Sequence, residues 1–156
     1  MSQTFPTVTV RAPASKSLSH RFLLGAALAE GVSTVRHALV SDDTDHTRAV
    51  LTAAGARFPP LPPAEGGGEG CWRVIGLAGQ PRGGTEAAPL DCNVGASGTS
   101  CRLLTAVLAA GRGAFYLHGA GRLHQRPMDE LLQALRFLGA DVRCSGQPGC
   151  PPLRIN

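Results

Sequence analysis

Along the first half of the chain, short apolar runs alternate with longer segments in which apolar residues recur at helical spacing. This pattern predicts strands near residues 7–10, 32–39, 57–58 and 72–77, and helices at about 17–30 and 42–54. The first helix is apolar on nearly all sides, which is typical of a buried helix. Ser41 is a favourable N-cap for the second helix, because Asp42 and Asp43 then lie at the positive end of its dipole.

The second half of the chain shows the same order of elements. Strands are predicted near residues 90–93, 114–118, 141–144 and 153–155, and helices at about 99–110 and 127–138. The helix at 99–110 is again apolar on nearly all sides. The last helix is amphipathic, and Pro127 is expected at its first position, where the missing N–H costs nothing.

An offset of about 81–84 residues superposes the two halves. Ser-His-Arg-Phe-Leu at 19–23 then matches Ser-Cys-Arg-Leu-Leu at 100–104. The expected fold is α/β (α+β), with two βαβαββ units at about residues 13–80 and 88–156. The helices of these units are expected to pack inward against each other.

Composition narrows the choice of function. The 156 residues carry a net charge of +4, which suits an anionic ligand but is too small to indicate nucleic acid. Aromatic residues make up only 4%, few for stacking on bases.

The five cysteines lack Cys-x-x-Cys spacing and predict free thiols in a reducing cytoplasm. Neither a signal peptide nor a membrane-spanning apolar stretch is evident, so the prediction is a cytoplasmic protein without membrane or nucleic-acid partners.

A first candidate site lies where the first strand is followed by a helix, at Lys16, Ser17 and Arg21. A helix N-terminus leaves backbone N–H groups free and carries partial positive charge, so two added cations favour an anion there. Ser17 and Arg21 are four residues apart and are expected on one helix face. The motif contains no acid to pair with these cations. That favours a ligand over the alternative, a capped helix with two solvated cations.

The glycine-rich turn at 95–102 occupies the equivalent place in the second unit. Gly98 allows backbone to approach a ligand closely, and the Thr99 hydroxyl is able to bond a phosphate or to cap the helix. Arg102 is the counterpart of Arg21 in the repeat. Arg126 precedes the last helix, and the sequence leaves open whether it points at an anion or lies on the surface.

Other chemistry is not favoured by the residues. His37, His46 and His118 lack the spacing of metal ligands, so no metal site is predicted. His20 lies within the first motif but is not favoured as a proton carrier. No set of nucleophile, base and acid is apparent.

Taken together, these motifs resemble those of the 3-phosphoshikimate 1-carboxyvinyltransferases, the EPSP synthase family. The matching stretches are 15–21, 41–43, 95–102 and 126–127 with the helix that follows, and they occur in family order. The resemblance implies a transferase of aromatic amino-acid biosynthesis that uses neither a metal nor an organic cofactor. In that reaction the 5-hydroxyl of shikimate 3-phosphate attacks C2 of phosphoenolpyruvate, and the tetrahedral intermediate then loses phosphate.

The resemblance also implies roles for particular residues. By position, Lys16 is similar to a catalytic lysine that touches both substrates. Ser17 and Arg21 are similar to ligands of shikimate 3-phosphate, and Gly98 and Arg126 to ligands of phosphoenolpyruvate. The full implied substrate-binding set, in which Arg102 supports the second site, is Lys16, Ser17, Arg21, Gly98, Thr99, Arg102 and Arg126.

The chain departs from the family in the glycine-rich turn, at Leu103, where many members have Pro, and in length. Family members usually have Asn-Ala-Gly-Thr where this chain has Ala-Ser-Gly-Thr at 96–99, so contacts to phosphoenolpyruvate or glyphosate-like inhibitors are expected to differ. The family enzyme also has two domains of three units each. The chain is therefore expected to be an N-terminal fragment, inactive alone, whose partner is the C-terminal remainder of the enzyme. Residues 1–12 are expected to belong with the second domain.

Two alternative functions stay open at this point. One is an enolpyruvyl transferase of the same fold that acts on a UDP-sugar, although those proteins usually have Lys-Asn where this chain has Lys16 and Ser17. The other is a non-enzymatic module that binds phosphate or RNA. The low aromatic content and modest charge argue against RNA.

Overall fold

The computed structural model describes residues 12–156, and the strand predicted at 7–10 lies outside them. The elements of the described range, in order, are α1 (Lys16–Leu28), β1 (Val32–Val35), α2 (Asp42–Ala53), β2 (Trp72–Ile75), β3 (Leu90–Asn93), α3 (Gly98–Ala109), β4 (Phe115–His118), α4 (Asp129–Phe137), β5 (Val142–Cys144) and β6 (Leu153–Ile155). Short 3-10 turns occur at Pro63–Glu65 and Gly121–Gln125.

The strands form two separate sheets. β1 and β2 pair antiparallel, while the other four strands have the order β3-β4-β6-β5. β3 and β4 are parallel, and β6 runs antiparallel to both β4 and β5. The predicted βαβαββ order is thus complete in the second half. In the first half, the strand expected at 57–58 is reduced to isolated bridges of Arg57 and Pro60 to β2, since prolines supply no N–H to extend a ladder.

The helices pack against one another and against the sheets, as the pattern predicts. α1 contacts both strands of the two-stranded sheet, and α3 and α4 contact the four-stranded sheet. α2 contacts α1 and α3, so the helices join the two units through one continuous apolar core. This arrangement brings the beginnings of α1, α2 and α3 to one place.

The prediction that α1 is buried on all sides is wrong for the described chain. Leu23 and Ala27 are buried, but Leu18 and Phe22 on another face are 54% and 61% exposed. An all-round apolar pattern shows that a helix avoids water without showing what covers each face. The covered face is the one that packs on β1, β2 and α2.

The strand predicted at 32–39 is shorter in the structure, where it is β1. β1 ends at Val35 because His37 adopts a left-handed backbone with φ of 54° and turns the chain away. Ala38 N–H then bonds the carbonyl of Gly70 at 2.9 Å. A residue in this conformation cannot continue a strand.

The last helix begins two residues later than predicted, at Asp129. The Pro127 carbonyl accepts a hydrogen bond from Arg102 at 2.6 Å, and Met128 N–H donates to Gly149 O at 2.7 Å. These tertiary bonds hold 127–128 outside the helix. Pro127 is therefore not the first helical residue, and its carbonyl instead anchors Arg102.

Candidate functional site

Three helices begin at a serine whose side chain caps the first turn. Ser15, Ser41 and Ser97 each accept a hydrogen bond from a backbone N–H three residues later. The N-cap predicted at Ser41 is confirmed, and Thr44 completes a capping box there. These caps leave the remaining N–H groups of the first turns, and the positive ends of the dipoles, available to an anion.

The three helix starts meet at Asp43, whose carbonyl lies 3.3 Å from the Ser100 hydroxyl of α3. Asp43, in the first turn of α2, forms an ion pair with Lys16 of α1. Its partial burial opposes ionisation, but hydrogen bonds from Lys16 and Ser97 and the Lys16 charge outweigh this and lower the pKa of Asp43. Lys16 therefore has an acidic partner that its own motif does not contain. Its side chain is still 49% exposed and open to a ligand.

Ser17 and Arg21 lie together on the exposed side of α1. Arg21 Nη1 donates to the Ser17 carbonyl at 2.9 Å and also to the Ser17 hydroxyl. The expected shared helix face is confirmed. Both side chains are exposed, so the guanidinium is accessible to a phosphate at this helix start.

A cavity of about 300 Å³ lies at the start of α3. The Arg126 guanidinium lies so close over Gly98 that any Cβ at this position would overlap it. Thr99 and Arg102 line the same cavity, and Arg102 holds the loop through the Pro127 carbonyl. The apolar part of the lining includes Cys101, Leu123 and Met128. Two guanidinium groups at the start of a helix make this a favourable cavity for a small anion.

The thiol in this cavity, that of Cys101, is in an environment that disfavours the thiolate. Burial raises the pKa of Cys101 to about 11, although a Thr105 hydrogen bond and the charges of Arg102 and Arg126 oppose the rise. Only a thiolate is a good nucleophile. All five cysteines are free, as the sequence predicts.

A larger cavity, of about 580 Å³, lies elsewhere and suits an anion poorly. It is bounded by residues 12–14, residues 37–40 and Glu69. Within residues 12–156, neither Lys nor Arg lines it, and Glu69 would repel a phosphate. The smaller cavity at α3 is therefore the better anion site.

Sequence reasoning missed a buried polar contact between α1, α2 and α3. His20 is fully buried, and its Nδ1 lies 3.0 Å from Thr47 Oγ1, which lies 2.9 Å from Ser100 Oγ. Burial lowers the pKa of His20, and the charges of Lys16 and Arg21 add to this while Asp43 opposes it. The one sequence signal for this contact was that Ser100 corresponds to Ser19 in the repeat. The structure shows that both serines are buried.

Replacement of His20 by Asn is expected to flatten the pH dependence of stability on the acid side. In the unfolded chain His20 takes up a proton below about pH 6.5, whereas the folded chain resists protonation, so stability is full above that pH and falls below it. The slope from one such group is at most about 1.4 kcal/mol per pH unit. Urea unfolding at pH 7.5, 6.5 and 5.5 measures it.

His37→Asn is the matched control, because His37 is exposed and its left-handed backbone suits Asn. This variant should keep the wild-type slope. An unchanged slope in His20→Asn would contradict the assignment of the acid sensitivity to His20.

The structure groups the predicted site residues into two neighbouring sets. Lys16, Ser17 and Arg21 lie at the start of α1, and the second set at the start of α3 comprises Gly98, Thr99, Arg102 and Arg126. Within residues 12–156, no group of three or more His, Cys, Asp or Glu residues could hold a metal ion. In the same range, no helix is both long and apolar enough to cross a membrane.

Comparison with known proteins gives a consistent result. Residues 6–156 match the family model "EPSP synthase (3-phosphoshikimate 1-carboxyvinyltransferase)". The 3-phosphoshikimate 1-carboxyvinyltransferase of Thiobacillus denitrificans is 44% identical over 148 residues, which are 95% of this chain and 32% of that protein. That of Neisseria gonorrhoeae is 42% identical over 147 residues, 94% of this chain and 32% of that protein.

A solved structure agrees with these relatives. An EPSP synthase from Acinetobacter baumannii matches with a TM-score of 0.78 and 29% identity, over 92% of this chain and 30% of that one. The chain thus spans about a third of the length of the relatives it matches.

Proposed function

Because this chain belongs to the EPSP synthase family, we propose that it supplies the helix starts that bind shikimate 3-phosphate and phosphoenolpyruvate in a cytoplasmic enolpyruvyl transferase. The observation that carries the proposal is the meeting of α1 and α3 at Asp43, which pairs with Lys16 and whose carbonyl lies 3.3 Å from the Ser100 hydroxyl, with exposed cations on both helices. Two phosphorylated substrates need such a pair of neighbouring anion sites.

Shikimate 3-phosphate is assigned to the start of α1. The 3-phosphate would accept hydrogen bonds from the Ser17 hydroxyl and from the Arg21 guanidinium, which already lie together. Arg offers a bidentate fork to phosphate oxygens. The free N–H groups of the first turn add to this attraction.

Phosphoenolpyruvate is assigned to the cavity at the start of α3. Arg126 lies over Gly98, so backbone and guanidinium approach the ligand from the same side. Thr99 contributes a hydroxyl at the rim, and Arg102 keeps the Arg126 loop in place through Pro127. The volume of about 300 Å³ suits a ligand of this size.

Lys16 is assigned to both substrates and to the charge that shifts between them. The shikimate 5-hydroxyl loses its proton as its oxygen bonds to C2 of phosphoenolpyruvate, while the C2=C3 double bond opens and C3 gains a proton. The intermediate then loses phosphate from C2 and a proton from C3, which restores the double bond. A lysine held by Asp43 at this place stabilises negative charge without having to reorganise. The proton transfers are assigned to the remainder of the enzyme, so these 156 residues are not expected to release phosphate from phosphoenolpyruvate alone.

Titration of a selectively labelled chain tests the proposed ligands. Lys16 is the sole lysine of the sequence, so [15N]lysine labelling gives one lysine amide signal, located in the first turn of α1. Shikimate 3-phosphate is expected to shift this signal saturably, because the phosphate binds the N–H groups of that turn. Shikimate without the phosphate should have little effect and serves as the matched control.

Three outcomes would contradict the proposal. The first is that shikimate 3-phosphate does not shift the Lys16 signal. The second is that UDP-N-acetylglucosamine shifts this signal at a lower concentration than shikimate 3-phosphate does. The third is that an RNA oligonucleotide binds with a steep dependence on salt concentration, which would favour the non-enzymatic module that binds nucleic acid.

A further inference from the structure

Four polar side chains form a continuous buried contact across three helices, called here the polar bridge: His20, Thr47, Ser100 and Ser97. The first three are fully buried and Ser97 is 4% exposed. The successive distances are 3.0 Å from His20 Nδ1 to Thr47 Oγ1, 2.9 Å on to Ser100 Oγ, and 2.8 Å on to Ser97 Oγ. The polar bridge therefore runs from α1 through α2 to the start of α3.

The direction of these hydrogen bonds follows from the number of protons. Each hydroxyl has one proton, so each is able to donate a single hydrogen bond. Ser100 donates to Ser97 and Thr47 to Ser100, because these distances are shorter than the 3.3 and 3.1 Å to the Asp43 carbonyl. His20 Nδ1–H is left as the donor to Thr47.

The other ring nitrogen supports this tautomer. His20 Nε2 is buried and has no hydrogen-bond partner among the described residues. With the proton on Nδ1, Nε2 is an unpaired acceptor, whereas the opposite tautomer would bury an N–H without an acceptor. Buried N–H groups without a partner are the rarer case.

Thr47 is the centre of the polar bridge, since its hydroxyl contacts both neighbouring helices. Apolar contacts between helices tolerate small displacements, whereas hydrogen bonds weaken steeply as their geometry changes. The three helix starts carry Lys16, Asp43 and Gly98, and a displacement of one start changes the spacing of the two anion sites.

We propose that the polar bridge, through Thr47 and His20, is a positioning network that fixes the start of α3 relative to the start of α1. The proposal rests on the proposed function, because it predicts that shikimate 3-phosphate bound at the start of α1 also changes the start of α3. Thr47 touches neither ligand in this assignment and is a positioning residue.

The test compares three variants at two threonines of α2. Thr47→Val removes the hydroxyl and keeps the shape, and Thr47→Ser keeps the hydroxyl. Thr52→Val is the matched control, because Thr52 is exposed on the same helix and its hydroxyl donates to the Arg48 carbonyl of that helix at 2.8 Å. Backbone amide shifts of Ser17 and Gly98 are followed as shikimate 3-phosphate is added to each uniformly labelled chain.

In the wild type, Thr47→Ser and Thr52→Val, both amides are expected to shift. In Thr47→Val the Gly98 shift should fall by more than half while the affinity reported by Ser17 stays within twofold. An undiminished Gly98 shift in Thr47→Val would overturn the positioning role. If Thr47→Val does not fold, Ser100→Ala breaks the same link from α3, where alanine suits the helix.

A second measurement needs no ligand and separates this proposal from the proposed function. Long-range 1H–15N spectra of the wild type should show His20 as the neutral Nδ1–H tautomer at pH 7. An Nε2–H tautomer would overturn the polar bridge even if shikimate 3-phosphate binds. If the Nδ1–H tautomer is found but shikimate 3-phosphate shifts no amide, the proposed function fails, and with it the coupling between the sites.

Discussion

Lys16→Met is expected to weaken binding of shikimate 3-phosphate by about 10- to 150-fold, with the chain still folded. A charged hydrogen bond to phosphate contributes about 1.5–3 kcal/mol, which corresponds to that range of dissociation constants. The loss of stability should be small, because Lys16 is 49% exposed and Asp43, at 23%, still reaches the water that would take the place of the ammonium group. Calorimetric titration of both chains measures the effect.

Arg112→Met is the control for net charge. Arg112 is exposed in the turn between α3 and β4, away from both helix starts, and its replacement removes the same single charge. Its affinity should stay near that of the wild type. Equal losses in the two variants would mean that the ligand responds to overall charge and not to Lys16, and an unchanged affinity in Lys16→Met would contradict the assignment directly.

Gly119→Ala is expected to destabilise the chain by about 1–3 kcal/mol through overpacking. A Cβ at Gly119 would overlap the carbonyl oxygen of Gly95 and crowd the Leu123 side chain. The Gly95 carbonyl already accepts a hydrogen bond from Ala120 N–H at 2.8 Å and cannot turn away without losing it. Gly95, with φ of 56°, begins the turn that leads into α3. A displacement of Gly95 by the added Cβ should therefore also move Gly98.

Gly25→Ala is the matched control for this substitution. Gly25 lies in the interior of α1, and a Cβ there would meet nothing within 4 Å. This variant should gain about 0.5–1 kcal/mol, because glycine costs backbone entropy in a helix. Urea unfolding measures the change in the free energy of unfolding of each variant relative to the wild type. The two changes should have opposite signs if the close approach of Gly119 to Gly95 is the cause, and equal changes would contradict this explanation.

The elements predicted most accurately are those with local causes. α2 begins after Ser41, as its cap and the acids that follow indicate, and the order of the second unit follows its apolar spacing. Hydrogen bonds within the first turn of a helix involve neighbours in sequence, so a single chain is enough to predict them. The pairing of Ser17 with Arg21 is predictable for the same reason.

The errors arise where distant contacts override local preference. Pro127 suits the first position of a helix, yet its carbonyl binds Arg102, and α4 begins at Asp129. The strand after α1 ends early because His37 turns toward the segment at Gly70. The apolar residues Leu18 and Phe22 are exposed because the described chain offers no neighbour for that face of α1.

By itself, the sequence determined the repeated order of elements, the serine-capped helices and two basic motifs at equivalent helix starts. These depend on periodicity and on contacts a few residues apart. Only the tertiary structure decided that Lys16 pairs with Asp43, and that His20 reaches Thr47 over 27 residues and Thr47 reaches Ser100 over 53. Such contacts form because packing of three helices on a shared core brings their starts together, and no local pattern encodes which side chains then meet.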